Sequence, residues 1–191
     1  SNFANPHGYH DDNHYTTAYD MSLIAQACME YDIIAEAARE TKFSGNSAGN
    51  QKYNVDGKTA EYTWYSHNEL ITNGANHYEY ATGIKTGFTD QAGDCLAASA
   101  TKDNENLIAI IMNSEDPGRW QDAKILFDWA FENYDMIEYR QSGVAATAKL
   151  SGHNRLKGDT AEIKIEENMS AYLTADEAAN VQTEIIYDGG R

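Results

Sequence analysis

Residues 80–89 read Tyr80-Ala81-Thr82-Gly83-Ile84-Lys85-Thr86-Gly87-Phe88-Thr89, a β-type run carrying a Lys-Thr-Gly triplet. Downstream come Cys95-Leu96-Ala97-Ala98-Ser99-Ala100-Thr101, a polar turn over Lys102–Asn106, and Leu107-Ile108-Ala109-Ile110-Ile111-Met112. Two apolar runs around a short polar turn predict a β-hairpin, so the triplet lies on or beside a strand that leads into it. A Lys at a strand edge is a fixed cation with three donors, and Thr86 adds a hydroxyl beside it. Gly87 leaves room for a ligand backbone to approach. The set suits an extended ligand ending in a carboxylate. Read on residue types alone, Lys and Thr are also common at an exposed strand end.

Working outward, Thr17 followed by Asp20 predicts a capping box and a helix from about Ala18, with Met21, Ile24, Ala25 and Cys28 on its apolar face. A break near Glu30–Asp32 precedes a second helix carrying Ile33, Ile34, Ala37 and Ala38. Ser44–Asn50, rich in Gly and Asn, reads as a loop. Tyr53–Val55 and Thr59–Tyr65 flank Asp56-Gly57, a hairpin-turn signal. Residues Asn68–Gly74 read as a short helical turn and loop. After Pro117-Gly118 a helix is predicted from about Trp120 to Tyr134, with Ala123, Leu126, Phe127, Ala130 and Phe131 on one face. The whole reads as α+β, an antiparallel sheet packed on helices. A boundary is expected near Asp135–Ser142. Short strands follow at Val144–Leu150, Ala161–Ile165, Met169–Leu173 and Gln182–Tyr187, the pattern of a small β-rich domain.

Composition narrows the function. The 191 residues are 41% apolar with 13 Tyr, enough for a core, and carry only 2 Pro. A net charge of −16 argues against nucleic acid, whose binding rests on cationic neutralisation of phosphates. It also disfavours an anionic membrane surface. No run of about 18 apolar residues exists, so no transmembrane segment is read. Cys28 and Cys95, each among apolar neighbours, read as buried free thiols; two cysteines make no disulfide framework. His7, His10 and His14 with Asp11 and Asp12 could be read as a metal cluster, but a His- and Asp-rich loop is usually just polar. No metal and no cofactor are expected.

The longer pattern resembles a family. Asn5-Pro6-His7-Gly8, Tyr15-Thr16-Thr17-Ala18-Tyr19-Asp20-Met21, Gly83–Thr89, Ala92-Gly93, Cys95–Ala100 and Ala123–Phe131 are together similar to the low-molecular-mass D-alanyl-D-alanine carboxypeptidases, the S11 serine peptidases among the penicillin-binding proteins. Lys-Thr-Gly is one of their three motifs, with Ser-x-x-Lys and Ser-x-Asn. The resemblance covers about residues 1–140. It implies part of a penicillin-binding protein/β-lactamase-like transpeptidase fold over residues 1–138, then a β-rich domain over 139–191, possibly incomplete. It implies that Lys85, Thr86 and Gly87 hold the terminal carboxylate of a peptidoglycan stem peptide ending in D-Ala-D-Ala. The Phe88 backbone N–H would be an oxyanion donor. Arg119 either helps capture that carboxylate or is a solvated residue at a helix start, where an Arg opposes the helix dipole.

In the family both serine motifs precede the region that residue 1 resembles. The expectation is therefore a chain with the substrate-anchoring half of the site and no Ser-x-x-Lys nucleophile. Ser44-Gly45-Asn46 spells Ser-x-Asn but reads as a turn. The complete enzyme would be a serine-type carboxypeptidase of the cell envelope, extracytoplasmic, acylated by β-lactams. Two alternatives stay open: a non-catalytic binding or scaffold module of the same fold, and a metal-dependent hydrolase resting on the histidines.

Overall fold

The computed structural model describes residues 1–48, 55–149 and 160–184. Two compact units divide the chain, Ser1–Trp129 and Ala130–Arg191.

In the first unit, helix α1 spans Ala18–Met29 and starts where the capping signal places it. The Thr17 side chain accepts from the Asp20 N–H at 3.0 Å. Asp20 also accepts from the Ser1 amino group at 3.2 Å and from the Ser1 hydroxyl. A carboxylate in the first turn suits the helix dipole, and the Ser1 hydrogen bond holds the Asp20 carboxyl below its ordinary range. Helix α2, Asp32–Arg39, follows after a break at Glu30-Tyr31.

Strands β1 (Lys42–Asn46) and β2 (Glu61–Tyr65) pair antiparallel, with Phe43 opposite Trp64 and Gly45 opposite Tyr62. This corrects the reading of Ser44–Asn50 as a loop at its first three residues; Ser47 and Ala48 are irregular, and Gly49 and Asn50 lie outside the described residues. Ser44-Gly45-Asn46 lies within β1, where cross-strand pairing with Glu61–Thr63 overrides the local turn preference of Gly and Asn. The Asp56-Gly57 turn is present, with φ of 49° and 72° between the bridged Val55 and Lys58. Its expected upstream strand reaches Tyr53 and Asn54, which lie outside the described residues, and β2 pairs with β1 instead. Asn68–Gly74 forms turns without a helix.

The central element is a three-stranded antiparallel meander in the order β3 (Ala81–Thr89), β4 (Gly93–Lys102), β5 (Glu105–Ser114). Asp103 and Asn104 connect β4 to β5 with φ of 50° and 68°. Two consecutive positive φ values make the tight turn whose twist matches a hairpin, and Asn and Asp tolerate it. Helix α1 packs along β5 and α2 along β3. At Gly83, φ is +147° and an added Cβ would stand 2.9 Å from the Ala38 Cβ, so the missing side chain lets α2 seat directly on β3.

The core gathers Leu96, Ala98 and Ala100 of β4, Ala109 and Ile111 of β5, Leu70 and Tyr78 from the preceding loop, and Trp120, Ala123 and Phe127 of helix α3 (Gly118–Asn133). Tyr78 stacks on Phe127 with ring centroids 5.8 Å apart. The inward stripe of α3 is thus Trp120–Ala123–Phe127, spaced i, i+3, i+7. Leu126, expected on that face, is 47% exposed, at the edge of a buried stripe that runs through Trp120, Ala123 and Phe127.

In the second unit, β6 (Asp135–Arg140) pairs with β9 (Met169–Leu173) and β7 (Gly143–Lys149) with β8 (Thr160–Ile165). Asn168 links the Ser142 N–H, at 2.8 Å, to the Glu138 carboxylate, at 2.6 Å. Strand β6 and helix α4 (Ala175–Ala179) add to the expected elements; α4 opens with a capping box between Thr174 and Glu177. Residues 182–184 of the expected last strand are irregular, and the rest of it lies outside the described residues. No helix among the described residues is long and apolar enough to cross a membrane.

Candidate functional site

Strand β3 brings Lys85, Thr86, Gly87 and Phe88 into one row, opposite Ala97, Leu96, Cys95 and Asp94 of β4. Strand alternation sends Lys85 and Gly87 to one face and Thr86 and Phe88 to the other. Lys85 is exposed, and its ammonium donates to the Thr86 carbonyl at 2.6 Å. Phe88 is 63% exposed. A Cβ at Gly87 would meet only the Cys95 Cβ, at 3.8 Å, so the strand stays open to approach there.

Two clefts meet at Lys85 and Thr86. The larger, about 750 Å³, runs along β3 toward Phe88 and is walled by apolar side chains including Phe3, Met21, Ile24 and Met112. The smaller, about 310 Å³, lies between β3 and the β1–β2 ribbon. Its lining includes Ser66, His67 and Asn68, a second Ser-x-Asn triplet that motif reading overlooked although its spelling was visible. Here the triplet builds a turn. Ser66 Oγ accepts from the Asn68 N–H at 3.2 Å, and Asn68 Oδ1 accepts from the Leu70 N–H at 3.1 Å.

The expectation of no Ser-x-x-Lys also needs correction. Ser99-Ala100-Thr101-Lys102 spells it. These residues are on β4, where positions three apart face opposite sides of the sheet, so the two side chains cannot meet as they would on a helix. Ser99 is 5% exposed and hydrogen-bonded to the Thr82 hydroxyl at 2.8 Å, while the Lys102 ammonium lies over the Tyr80 ring.

Arg119 lines neither cleft. Its guanidinium meets Asp94 at 2.5 Å and Asp116 at 3.7 Å and lies over the Trp120 ring at 4.5 Å. These two carboxylates answer the cation's poor fit to a helix N-terminus. Through Asp94 the guanidinium is tied to the register position of Phe88.

Of the N-terminal histidines, His10 meets the Asp12 carboxylate at 3.3 Å, and His7 and His14 hold backbone. His14 Nδ1 accepts from the Ala4 N–H and His7 Nδ1 from the Tyr9 N–H, at 3.0 and 3.1 Å. Asn5 brackets the same turn through the Gly8 N–H and the Tyr9 carbonyl, with Gly8 at φ 77°. Among the described residues no three His, Cys, Asp or Glu side chains group as metal ligands would. Cys28 and Cys95 are free and half-buried, less enclosed than the sequence suggested.

Residues 1–116 match the family model of the D-alanyl-D-alanine carboxypeptidases, peptidase S11. The chain belongs to this family. It is 31% identical over 153 residues to the carboxypeptidase DacF of Bacillus subtilis, an alignment covering 78% of this chain and 36% of that protein. It is 28% identical over 190 residues to DacA of Haemophilus influenzae, covering 98% of this chain and 43% of the relative. Among solved structures, the D-alanyl-D-alanine carboxypeptidase DacD of Francisella tularensis shares the fold, with TM-score 0.65 at 20% identity over 98% of this chain and 54% of that one. The α+β architecture with its antiparallel sheet is that of this carboxypeptidase family. The chain spans less than half the length of the curated relatives it matches.

Proposed function

We propose that this chain is the substrate-anchoring part of a serine-type carboxypeptidase that removes the terminal D-Ala from peptidoglycan stem peptides. The observation that carries this reading is the position of Lys85 and Thr86 on one strand where two clefts meet, inside the stretch that matches the family. The Lys85 ammonium and Thr86 hydroxyl would hold the substrate's terminal carboxylate. The Phe88 N–H would face the oxygen that becomes negative as a serine attacks the D-Ala-D-Ala carbonyl. That serine, activated by a neighbouring lysine, would form an acyl-enzyme that water then hydrolyses. Arg119, engaged by Asp94, would hold the start of β4 against Phe88. β-Lactams would acylate the same serine, and the enzyme would work in the cell envelope, outside the cytoplasm.

A non-catalytic peptide-binding module is the second reading. It is favoured by one observation, that the Ser-x-x-Lys sequence in this chain lies on a strand with its serine buried. Fluorescent penicillin and a denaturing gel separate the two. The 191-residue chain should stay unlabelled, and a protein in which it follows the family's Ser-x-x-Lys half should label stoichiometrically. A stoichiometric band on the 191-residue chain would put a nucleophile within it. No band on the longer protein would leave the binding module.

A further inference from the structure

The smaller cleft is built unlike the larger one. One of its walls is the β1–β2 ribbon, whose register puts Phe43 opposite Trp64 and Gly45 opposite Tyr62. The three rings therefore share one face. Tyr62 and Trp64 stack with centroids 5.7 Å apart and planes 25° apart, and Phe43 continues the row 5.8 Å from Trp64. A Cβ at Gly45 would come within 3.2 Å of the Phe43 ring, so glycine lets that ring lie flat over the strand. Phe43 and Trp64 remain 61% and 54% exposed. Rings of this size usually find cover, because each removes a large apolar area from water.

Polar groups surround this stripe. Glu40, Ser66 and His67 line the same cleft, and so does Asn68. Asn68 is only 3% exposed, and its Nδ2 has no hydrogen-bond partner among the described residues. A buried amide N–H without an acceptor is rare in native structures and calls for a specific explanation. The Nδ2 has almost no accessible surface, so it lies behind the cleft wall, and the polar atoms open to a ligand belong to Ser66 and His67.

We propose that this cleft is a saccharide subsite. A pyranose ring has an apolar C–H face and a perimeter of hydroxyl or acetamido oxygens. Its face would lie on Trp64 and Phe43, and its perimeter would meet Ser66 and His67. An apolar peptide side chain would use the stripe but leave the surrounding donors dry and unpaired. A second copy of this chain seated here would have to desolvate the Glu40 carboxylate. Placement beside Lys85 then has a consequence that rests on the proposed function: glycan and stem peptide would be gripped side by side. The saccharide site itself needs no acyl chemistry.

The test uses the 191-residue chain and chitotriose, an acetamido sugar with no peptide, followed by NMR at the indole N–H groups. Saturable shifts should appear at Trp64 and not at buried Trp120. Read by isothermal titration calorimetry, since the first variant lacks the reporter indole, Trp64→Ala should weaken binding about tenfold and Phe43→Ala by less. Both positions are exposed, so the fold should survive either change. Absence of saturable shifts overturns the proposal, as does binding unchanged in Trp64→Ala. Self-association that buries Trp64 and is indifferent to the sugar overturns it as well. A parallel titration with a D-Ala-D-Ala peptide reads the carboxylate anchor separately, so either reading can fail alone.

Discussion

The Arg119 guanidinium and the Asp94 carboxylate meet at 2.5 Å, with the two side chains only 14% and 16% exposed. The contact ties the start of α3 to the start of β4, at the register position of Phe88. Asp94→Ala would strand a buried cation whose Nε already lacks a partner among the described residues. The expected loss is about 3 kcal/mol. Asp94→Asn, which keeps an acceptor, should lose less. Urea unfolding of the two variants checks this; equal midpoints for Asp94→Ala and the parent would remove the pair from the account of stability.

Gly83 should be intolerant of any side chain. Its φ of +147° and the 2.9 Å approach to the Ala38 Cβ both oppose a methyl group. Gly83→Ala should cost about 2–4 kcal/mol, combining overpacking with an unfavourable backbone. Gly74→Ala, where nothing lies within 4 Å, is the control and should stay within about 0.5 kcal/mol. Thermal melts of both variants compare them directly.

Tyr78 predicts an alkaline limit. Burial, then its hydrogen bond to Asp128 at 2.8 Å, raise its pKa well above the ordinary 10. The folded chain keeps a proton that the unfolded chain releases. The resulting stability is therefore complete below pH about 10 and is lost as pH rises toward the folded-state value. Tyr78→Phe should lower stability at neutral pH by about 1–2 kcal/mol and flatten that alkaline decline. Tyr80, raised by its hydrogen bond to Glu79, should leave a residual slope. Unfolding followed from pH 8 to 11 gives the answer; an unchanged decline in Tyr78→Phe would assign it elsewhere.

Lys85 separates function from folding. In a protein where this chain follows the family's serine half, Lys85→Ala should lower kcat/KM by about 10²–10³, the usual loss on removing one electrostatic stabiliser. Lys85→Arg should recover only part, because a planar fork is not a compact ammonium. The melting temperature should barely move, since the side chain is exposed and its hydrogen bond is to the neighbouring Thr86 carbonyl. Near-parental turnover in Lys85→Ala would make the triplet an ordinary strand end.

What the sequence made legible was local. The α1 cap, the β4–β5 turn and the strand carrying Lys85 are each set by residues close together in the chain. What it hid depended on partners far away. Ser44-Gly45-Asn46 has turn chemistry and becomes strand only because Glu61–Thr63 pair with it. Arg119 carries its charge in plain sight, yet its use is decided by Asp94, which no periodicity connects to it. Ser66-His67-Asn68 is spelled out in the sequence, yet its use as a turn in a cleft wall is decided by three-dimensional burial of Asn68.

The β3–β4–β5 meander has a kinetic corollary. Each strand pairs with its sequence neighbour, so the sheet closes only short loops and pays little chain entropy before its pairing gains arrive. The Asp103-Asn104 turn fixes register at one end. The row from Lys85 to Phe88 should therefore align early in folding, ahead of the more distant docking of α1 on β5. The strand that carries Lys85 would then be a template on which the rest of the first unit assembles.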